Sequence, residues 1–246
     1  MLKLLLRKTS FVDYPEKCSA VFFLPGCNLR CPWCHNRELI TGRAENLSNL
    51  EECLAHLEKR RNVLQGVVIS GGEPCLWDEL PEIIYKIKKV AIQDDSLPLP
   101  VKLDTNGTFP AMLKKLFESK ETRPDYIALD LKVSPRRYTE LIAIDTHASE
   151  DPGVLLSRSA ELIKASGIAH EYRTLALPPA YITEKDIEEL APLADNSPWH
   201  FSPFRGGNCL DSEWDGKEES PEAAKSQAQA LAKKAVELGK RGIAHT

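Results

Sequence analysis

The residues best able to do chemistry lie in one short run, Cys27-Asn28-Leu29-Arg30-Cys31-Pro32-Trp33-Cys34, whose thiols are separated by three and then two residues. Thiolates are soft donors, suited to zinc and to iron–sulfur clusters. A loop this tight can wrap three thiolates around a four-iron cluster, and three ligands for four irons leave one iron open. An open position marks a metal site that binds substrate, as it does when catalytic zinc is told from structural zinc. The alternative is a zinc ion completed by His35, but its adjacency to Cys34 makes joint ligation awkward, and no second Cys pair stands at finger spacing. The seven cysteines, at positions 18, 27, 31, 34, 53, 75 and 209, are odd in number and follow no secreted-domain pattern, so metal is favoured over disulfides.

Three further segments, and Arg173 and His200 beside them, carry polar groups that a site could use. In Gly71-Gly72-Glu73-Pro74, two glycines would let the backbone come close to a ligand, and the Glu73 carboxylate could accept from an ammonium. Asp104-Thr105-Asn106-Gly107 and Asp130-Leu131-Lys132 bring two carboxylates and an ammonium, the latter a point charge for a ligand carboxylate. Arg173 could reach a ligand or serve as an ion-pair partner, and His200 could face inward or outward. Plain structural readings stand beside these: a strand-ending turn for Gly-Gly-Glu-Pro and an Asn-Gly turn for the second segment. Cys53, among Leu50, Leu54 and Leu57, reads as a buried small hydrophobe. Cys18 precedes a strand, while Cys75 and Cys209 follow strands without the spacing of a second cluster.

The elements that must position these groups are readable from hydrophobic pattern. Apolar runs Ser19 to Leu24, Val67 to Ser70, Val101 to Asp104, Tyr126 to Leu131, Glu171 to Leu175 and Trp199 to Phe204 alternate with helical stretches. Six such strands predict an α/β fold of parallel β/α units, covered on both faces. Helical stripes are expected at Leu50, Leu54 and Leu57; at Ile83, Ile84, Ile87 and Val90; and at Leu113, Leu116 and Phe117. A last helix has Ser220 as N-cap, Pro221 in its first turn, a stripe of Ala224, Ala228, Leu231, Ala235 and Leu238, and Gly239 as its stop. In β/α barrels the residues after each strand share one end, so the three segments and the cysteine loop are expected together. The chain of 246 residues reads as a single domain, with a core over about residues 4–210 and a C-terminal helical extension over about 211–246. The opening Met1–Arg7 run is broken by Lys3 and Arg7 and offers no cleavage site, and no apolar run approaches membrane-spanning length. With 32 Lys and Arg against 36 Asp and Glu, the net charge is −4 without a basic block, which argues against nucleic-acid and membrane partners and for a cytoplasmic protein.

With Trp33 directly before the last cysteine and Gly71-Gly72-Glu73-Pro74 closing the second strand, the cysteine loop resembles the radical S-adenosylmethionine (radical SAM) superfamily. The resemblance implies a partial (β/α)6 TIM-like barrel and a [4Fe-4S] cluster on Cys27, Cys31 and Cys34, whose open iron chelates the amino and carboxylate groups of SAM. One electron passed into the sulfonium would release methionine and a 5′-deoxyadenosyl radical that abstracts hydrogen, with no catalytic side chain beyond the cluster and SAM. It assigns SAM contacts to Trp33, Gly71, Gly72, Glu73, Pro74, Asp104, Asn106, Asp130, Lys132 and Arg173. Thr9-Ser10-Phe11-Val12-Asp13-Tyr14-Pro15, together with Asp-Thr-Asn-Gly and Asp-x-Lys, is similar to glycyl-radical-enzyme activases, and most to those of the anaerobic ribonucleoside-triphosphate reductase. That likeness implies a protein substrate, a flavodoxin- or ferredoxin-type electron donor, and a monovalent cation near Asp104 and Asp130. Glu16 stands where those activases usually have Gly. Pro203-Phe204 is followed by Arg205, so their last-strand histidine has no counterpart. The competing expectations are an activase of another glycyl radical enzyme such as pyruvate formate-lyase, a radical SAM enzyme acting on a small molecule or nucleobase, and a non-enzymatic iron–sulfur or zinc protein.

Overall fold

The computed structural model describes residues 2–90, 98–144, 150–217 and 220–245, so Met1 of the opening run lies outside the described residues. In chain order the strands are β1 (Lys3–Tyr14), β2 (Lys17–Leu24), β3 (Leu29–Arg30), β4 (Ser48–Asn49), β5 (Gly66–Gly71), β6 (Val101–Thr105), β7 (Tyr126–Asp130), β8 (Ala143–Ile144), β9 (Ala169–Ala176), β10 (Pro198–Pro203) and β11 (Arg241–Ala244). The helices are α1 (Arg37–Ile40), α2 (Leu50–Arg60), α3 (Leu80–Lys89), α4 (Pro110–Phe117), α5 (Tyr138–Leu141), α6 (Pro152–Ser166), α7 (Glu184–Leu190) and α8 (Pro221–Glu237). The fold is mixed α/β with a parallel-strand sheet, and all six expected strands are present. The chain parts into two compact units. One is Met1–Cys27, Glu38–Thr105 and Ala111–Ile127; the other is Asn28–Arg37, Asn106–Pro110 and Ala128–Thr246.

In the first unit the strand order is β4-β1-β2-β5-β6, with β2, β5 and β6 parallel. Their apolar runs are buried almost throughout, as strands covered on both faces must be. Helix α3 lays Leu80, Ile83, Ile84 and Ile87 into the core, and α2 starts in a capping box between Asn49 and Glu52. Within α2 the fully buried places go to Cys53 and Leu57, while Leu50 and Leu54 are half-buried. The pattern did not announce β1, which pairs antiparallel with β2 and carries register shifts on both sides of Ser10. Alternation is blurred there because the bulged edge buries only Leu4, Ser10 and Tyr14. The β1–β2 turn closes with Glu16 at φ 60, so the hairpin forms in spite of a side chain in the left-handed region.

In the second unit the order is β7-β9-β10-β11, with β9, β10 and β11 parallel, and β3 pairs antiparallel with β8. The expected C-terminal helix is α8, capped by Ser220 and packed on β10 and β11 through Ala224, Ala228, Leu231, Ala232 and Ala235. Leu238, expected in that stripe, instead stands at the C-cap and is 37% exposed, because the helix has ended where its side chain would turn inward. Gly239, at φ 76, then reverses the chain into β11, a strand too short and polar to be read from sequence.

Candidate active site

In the first unit, Cys27 follows β2 and Gly71-Gly72-Glu73-Pro74 follows β5. The glycines have a packing reason of their own. A Cβ on Gly71 would lie 2.1 Å from the Leu24 carbonyl oxygen, and one on Gly72 would lie 1.8 Å from that of Gly26 and 3.2 Å from Cys27 Cβ. The bare backbone therefore lets the β5 end close onto the start of the cysteine loop, sealed by Gly72 N–H to Leu24 O and Glu73 N–H to Gly26 O, both 2.9 Å. Glu73 is fully buried. Its Oε1 accepts from the Cys75 N–H (3.0 Å) and the Thr105 hydroxyl (2.8 Å), which ties the ends of β5 and β6 and caps the turn Pro74–Leu76. Asp104 is paired with the buried ammonium of Lys102 at 2.9 Å, and that ammonium also donates to the Asp13 carbonyl at 2.8 Å. Lys102 was not a sequence candidate; its place two residues before Asp104, on the same strand face, was the available signal.

In the second unit, Cys31, Trp33, Cys34, His35, Asp130, Lys132 and Arg173 line one cavity of about 230 Å³ together with Thr174, Leu175 and Ser202. Six expected site residues thus meet there. Asn106 does not line it; its amide donates to Asn28 Oδ1 (3.1 Å) and its Oδ1 accepts from Thr108 N–H (2.9 Å), which fixes the start of the cysteine loop. Asp130 sits between two cations: Lys132 Nζ is 2.8 Å from Oδ2, and the Arg173 guanidinium reaches Oδ1 at 3.0 and 3.1 Å. Arg173 is an ion-pair partner of Asp130, and it also lines the cavity.

Burial alone would raise the Asp130 carboxyl, but Lys132 and Arg173 outweigh it and hold the group down at about 2. Burial likewise opposes the Lys132 ammonium, and Asp130 beside it keeps it well above the ordinary lysine range. The cavity therefore presents a fixed charge set of one anion and two cations. Burial pushes the Cys34 thiol up, opposed by the Asn36 backbone N–H and by Lys132. Soft sulfur donors beside a persistent cation fit an anionic iron–sulfur cluster and a ligand carboxylate. Among the described residues, no three His, Cys, Asp or Glu side chains converge as ligands of a single ion would. A four-iron cluster asks instead for one thiolate per iron. His35, the fourth ligand of the zinc alternative, donates from Nε2 to the Arg205 carbonyl at 2.8 Å and stacks on Phe204.

Three of the four remaining cysteines behave as packing groups. Cys53, Cys75 and Cys209 are buried, and burial raises each thiol: Cys53 to about 12, Cys209 to about 11 with Asp215 adding to the effect, and Cys75 well above its ordinary value. His200 stands near Glu171 (3.7 Å) and against His245 (3.0 Å), away from the cavity lining. Sequence reasoning gave no role to Trp214, which packs on Trp33 with ring centroids 5.0 Å apart. Nothing in its local pattern signals that pairing.

The family model described as the radical SAM superfamily matches residues 21–194. A protein of Methanocaldococcus jannaschii, named provisionally as a glycyl-radical enzyme activating enzyme, is 34% identical over 183 residues, 74% of this chain and 70% of that protein. The 7-carboxy-7-deazaguanine synthase of Aquifex aeolicus is 37% identical over 87 residues, 35% of this chain and 34% of the synthase. Among solved structures, SuiB of Streptococcus suis bound to S-adenosylmethionine superposes with a TM-score of 0.62 at 12% identity, covering 92% of this chain. That likeness is one of fold, and this chain spans 52% of SuiB.

Proposed function

Since the chain belongs to the radical SAM superfamily, we propose that this radical SAM enzyme is an activase that generates a glycyl radical on a partner enzyme, the anaerobic ribonucleoside-triphosphate reductase. The carrying observation is the cavity where Cys31 and Cys34 meet the Asp130, Lys132 and Arg173 charge set. The choice of a protein substrate rests on the likeness to the Methanocaldococcus protein, which runs through twice as much of this chain as the likeness to the synthase. In this reading Cys27, Cys31 and Cys34 hold a [4Fe-4S] cluster and SAM completes its open iron. When bound, the pair would supply one-electron cleavage of the sulfonium and, from it, the 5′-deoxyadenosyl radical that takes hydrogen from a glycine Cα of the partner.

The chain's own residues bind and orient. Lys132, held charged by Asp130, meets the carboxylate of SAM, while Arg173 keeps Asp130 ionised and oriented. Glu73, anchored by Thr105, fixes the backbone that receives the amino group, and Trp33 screens the cysteines from water. A monovalent cation at Asp104 would share that carboxylate with the Lys102 ammonium. The electron donor is a flavodoxin- or ferredoxin-type protein. Glycine suits the chemistry because hydrogen loss there leaves a radical stabilised by both flanking peptide groups, with no side chain blocking approach.

The test is anaerobic incubation of the reduced, cluster-loaded protein and SAM with the reductase from the same organism, followed by EPR. A doublet that changes when the reductase carries α-deuterated glycine supports the activase. SAM cleavage without a radical on any glycyl radical enzyme of the organism would instead favour a small-molecule substrate, the reading that the synthase likeness favours.

A further inference from the structure

The stretch Cys31-Pro32-Trp33-Cys34-His35 follows β3 outside helix and strand, with a turn bond from Cys34 N–H to Cys31 O at 3.0 Å. Residues 204–217, after β10, tie it down. Asp211 N–H donates to the Pro32 carbonyl at 2.9 Å, and His35 donates to the Arg205 carbonyl at 2.8 Å. Trp33 packs on Trp214, which is 4% exposed and also meets Phe204 edge-on at 5.9 Å and Tyr181 at 4.4 Å. The tying segment is itself braced. Gly207 and Asn208 turn it through left-handed φ values of 87 and 60, and buried Cys209 donates its N–H to Asp215 at 2.7 Å. Asp211 caps the turn Ser212–Trp214 through the Glu213 N–H at 2.9 Å, and the Lys217 ammonium stands over the Trp214 and Tyr181 rings at 4.5 and 5.0 Å.

We infer that residues 204–217 are a strap that holds the cysteine loop in its cluster-binding form, with Trp214 as a positioning residue acting through Trp33 and the Asp211 N–H as a second tie. A loop outside helix and strand is held in one arrangement of Cys31 and Cys34 by what packs on it, and each ordered residue carries an entropic cost that packing must offset. Aromatic rings at this separation attract one another, which holds Trp33 against Trp214. Partners behind metal ligands set both affinity and redox potential through orientation and solvent access. The inference rests on the reading of Cys27, Cys31 and Cys34 as cluster ligands.

Four variants of the full chain test it: Trp214→Ala, Trp214→Phe, Asp211→Pro, which removes the N–H, and Asp211→Ala, which loses the cap but keeps the N–H. After anaerobic reconstitution, each is followed by the rate of iron loss to a chelator and by the midpoint potential from EPR-monitored titration. Thermal unfolding of the apoprotein checks folding. Trp214→Ala and Asp211→Pro are expected to lose iron about tenfold faster and to shift in potential, with Trp214→Phe and Asp211→Ala close to the parent. Parent-like iron loss and potential in folded Trp214→Ala and Asp211→Pro would overturn the strap. Should Trp214→Ala fail to fold, the two Asp211 variants decide it. Cys31→Ala, run alongside, separates the two ideas: a full cluster in that variant would remove the ligand assignment itself, whatever the strap variants do.

Discussion

At Lys132 the chemistry of a single side chain is set by its neighbours. Its ammonium is locked to Asp130 at 2.8 Å and is only partly exposed, so it meets a ligand already oriented and charged. Lys132→Ala should weaken SAM binding by about 1.5–3 kcal/mol, the range for a hydrogen bond to a charged group, or roughly one to two decades in equilibrium dialysis. The same residue-by-residue logic sorts the cysteines. A thiol raised by burial stays protonated and unreactive below its shifted value. Cys53 at about 12, Cys209 at about 11 and buried Cys75 should therefore resist iodoacetamide at mildly alkaline pH in the native apoprotein, while half-buried Cys18 is alkylated before all three. Peptide mapping by mass spectrometry over a time course reads the order. The expected sequence reverses only if the three buried sites open to solvent.

Among the elements, the junction of β2 and β5 decides how Cys27 is presented. The two strands lie parallel in register from Ser19 opposite Gly66 to Leu24 opposite Gly71, and both ends then turn together at separations that exclude any side chain. Gly72→Ala must push the β5 end off Gly26, and forced overpacking of this kind costs about 1–3 kcal/mol or more. A lower urea midpoint and reduced iron uptake are the expected results, since the displaced backbone carries Cys27 with it. An unchanged midpoint would mean that the turn relaxes without strain. Glu73 belongs to the same junction: its carboxylate holds the β5 and β6 ends together through Thr105, so a residue expected for ligand contact also does structural work.

On the scale of the whole molecule, α8 and β11 extend the parallel sheet of the second unit past the last expected strand. Helix α8 is built from alanines where it faces β10 and β11, because small side chains let a helix approach a sheet closely. Ala228→Arg places a charge and a long side chain at a fully buried site. Unpaired buried charge and overpacking are among the changes that destabilise by more than about 4 kcal/mol. Hydrogen exchange of the β10 and β11 amides should then speed up well before that of β5 in the first unit. No helix of the described residues is long and apolar enough to cross a membrane.

The sequence by itself determined the parallel strands, the main helices and the place of the cysteine loop after its strand, because these depend on local period and on residue spacing along one segment. Buried apolar runs such as Val67 to Ser70 admit few other placements, and Ser220, Pro221 and Gly239 mark α8 through local backbone rules. Only the tertiary structure decided which groups face which. Glu73 lies against Thr105, Arg173 beside Asp130, and Trp214 against Trp33, the last pair 181 positions apart in the chain. It also supplied a packing reason for Gly71 and Gly72, whose missing side chains make room for the Leu24 and Gly26 backbone. Such pairings arise when strand ends and their following loops are brought side by side, and no window of sequence contains both partners of a contact made that way.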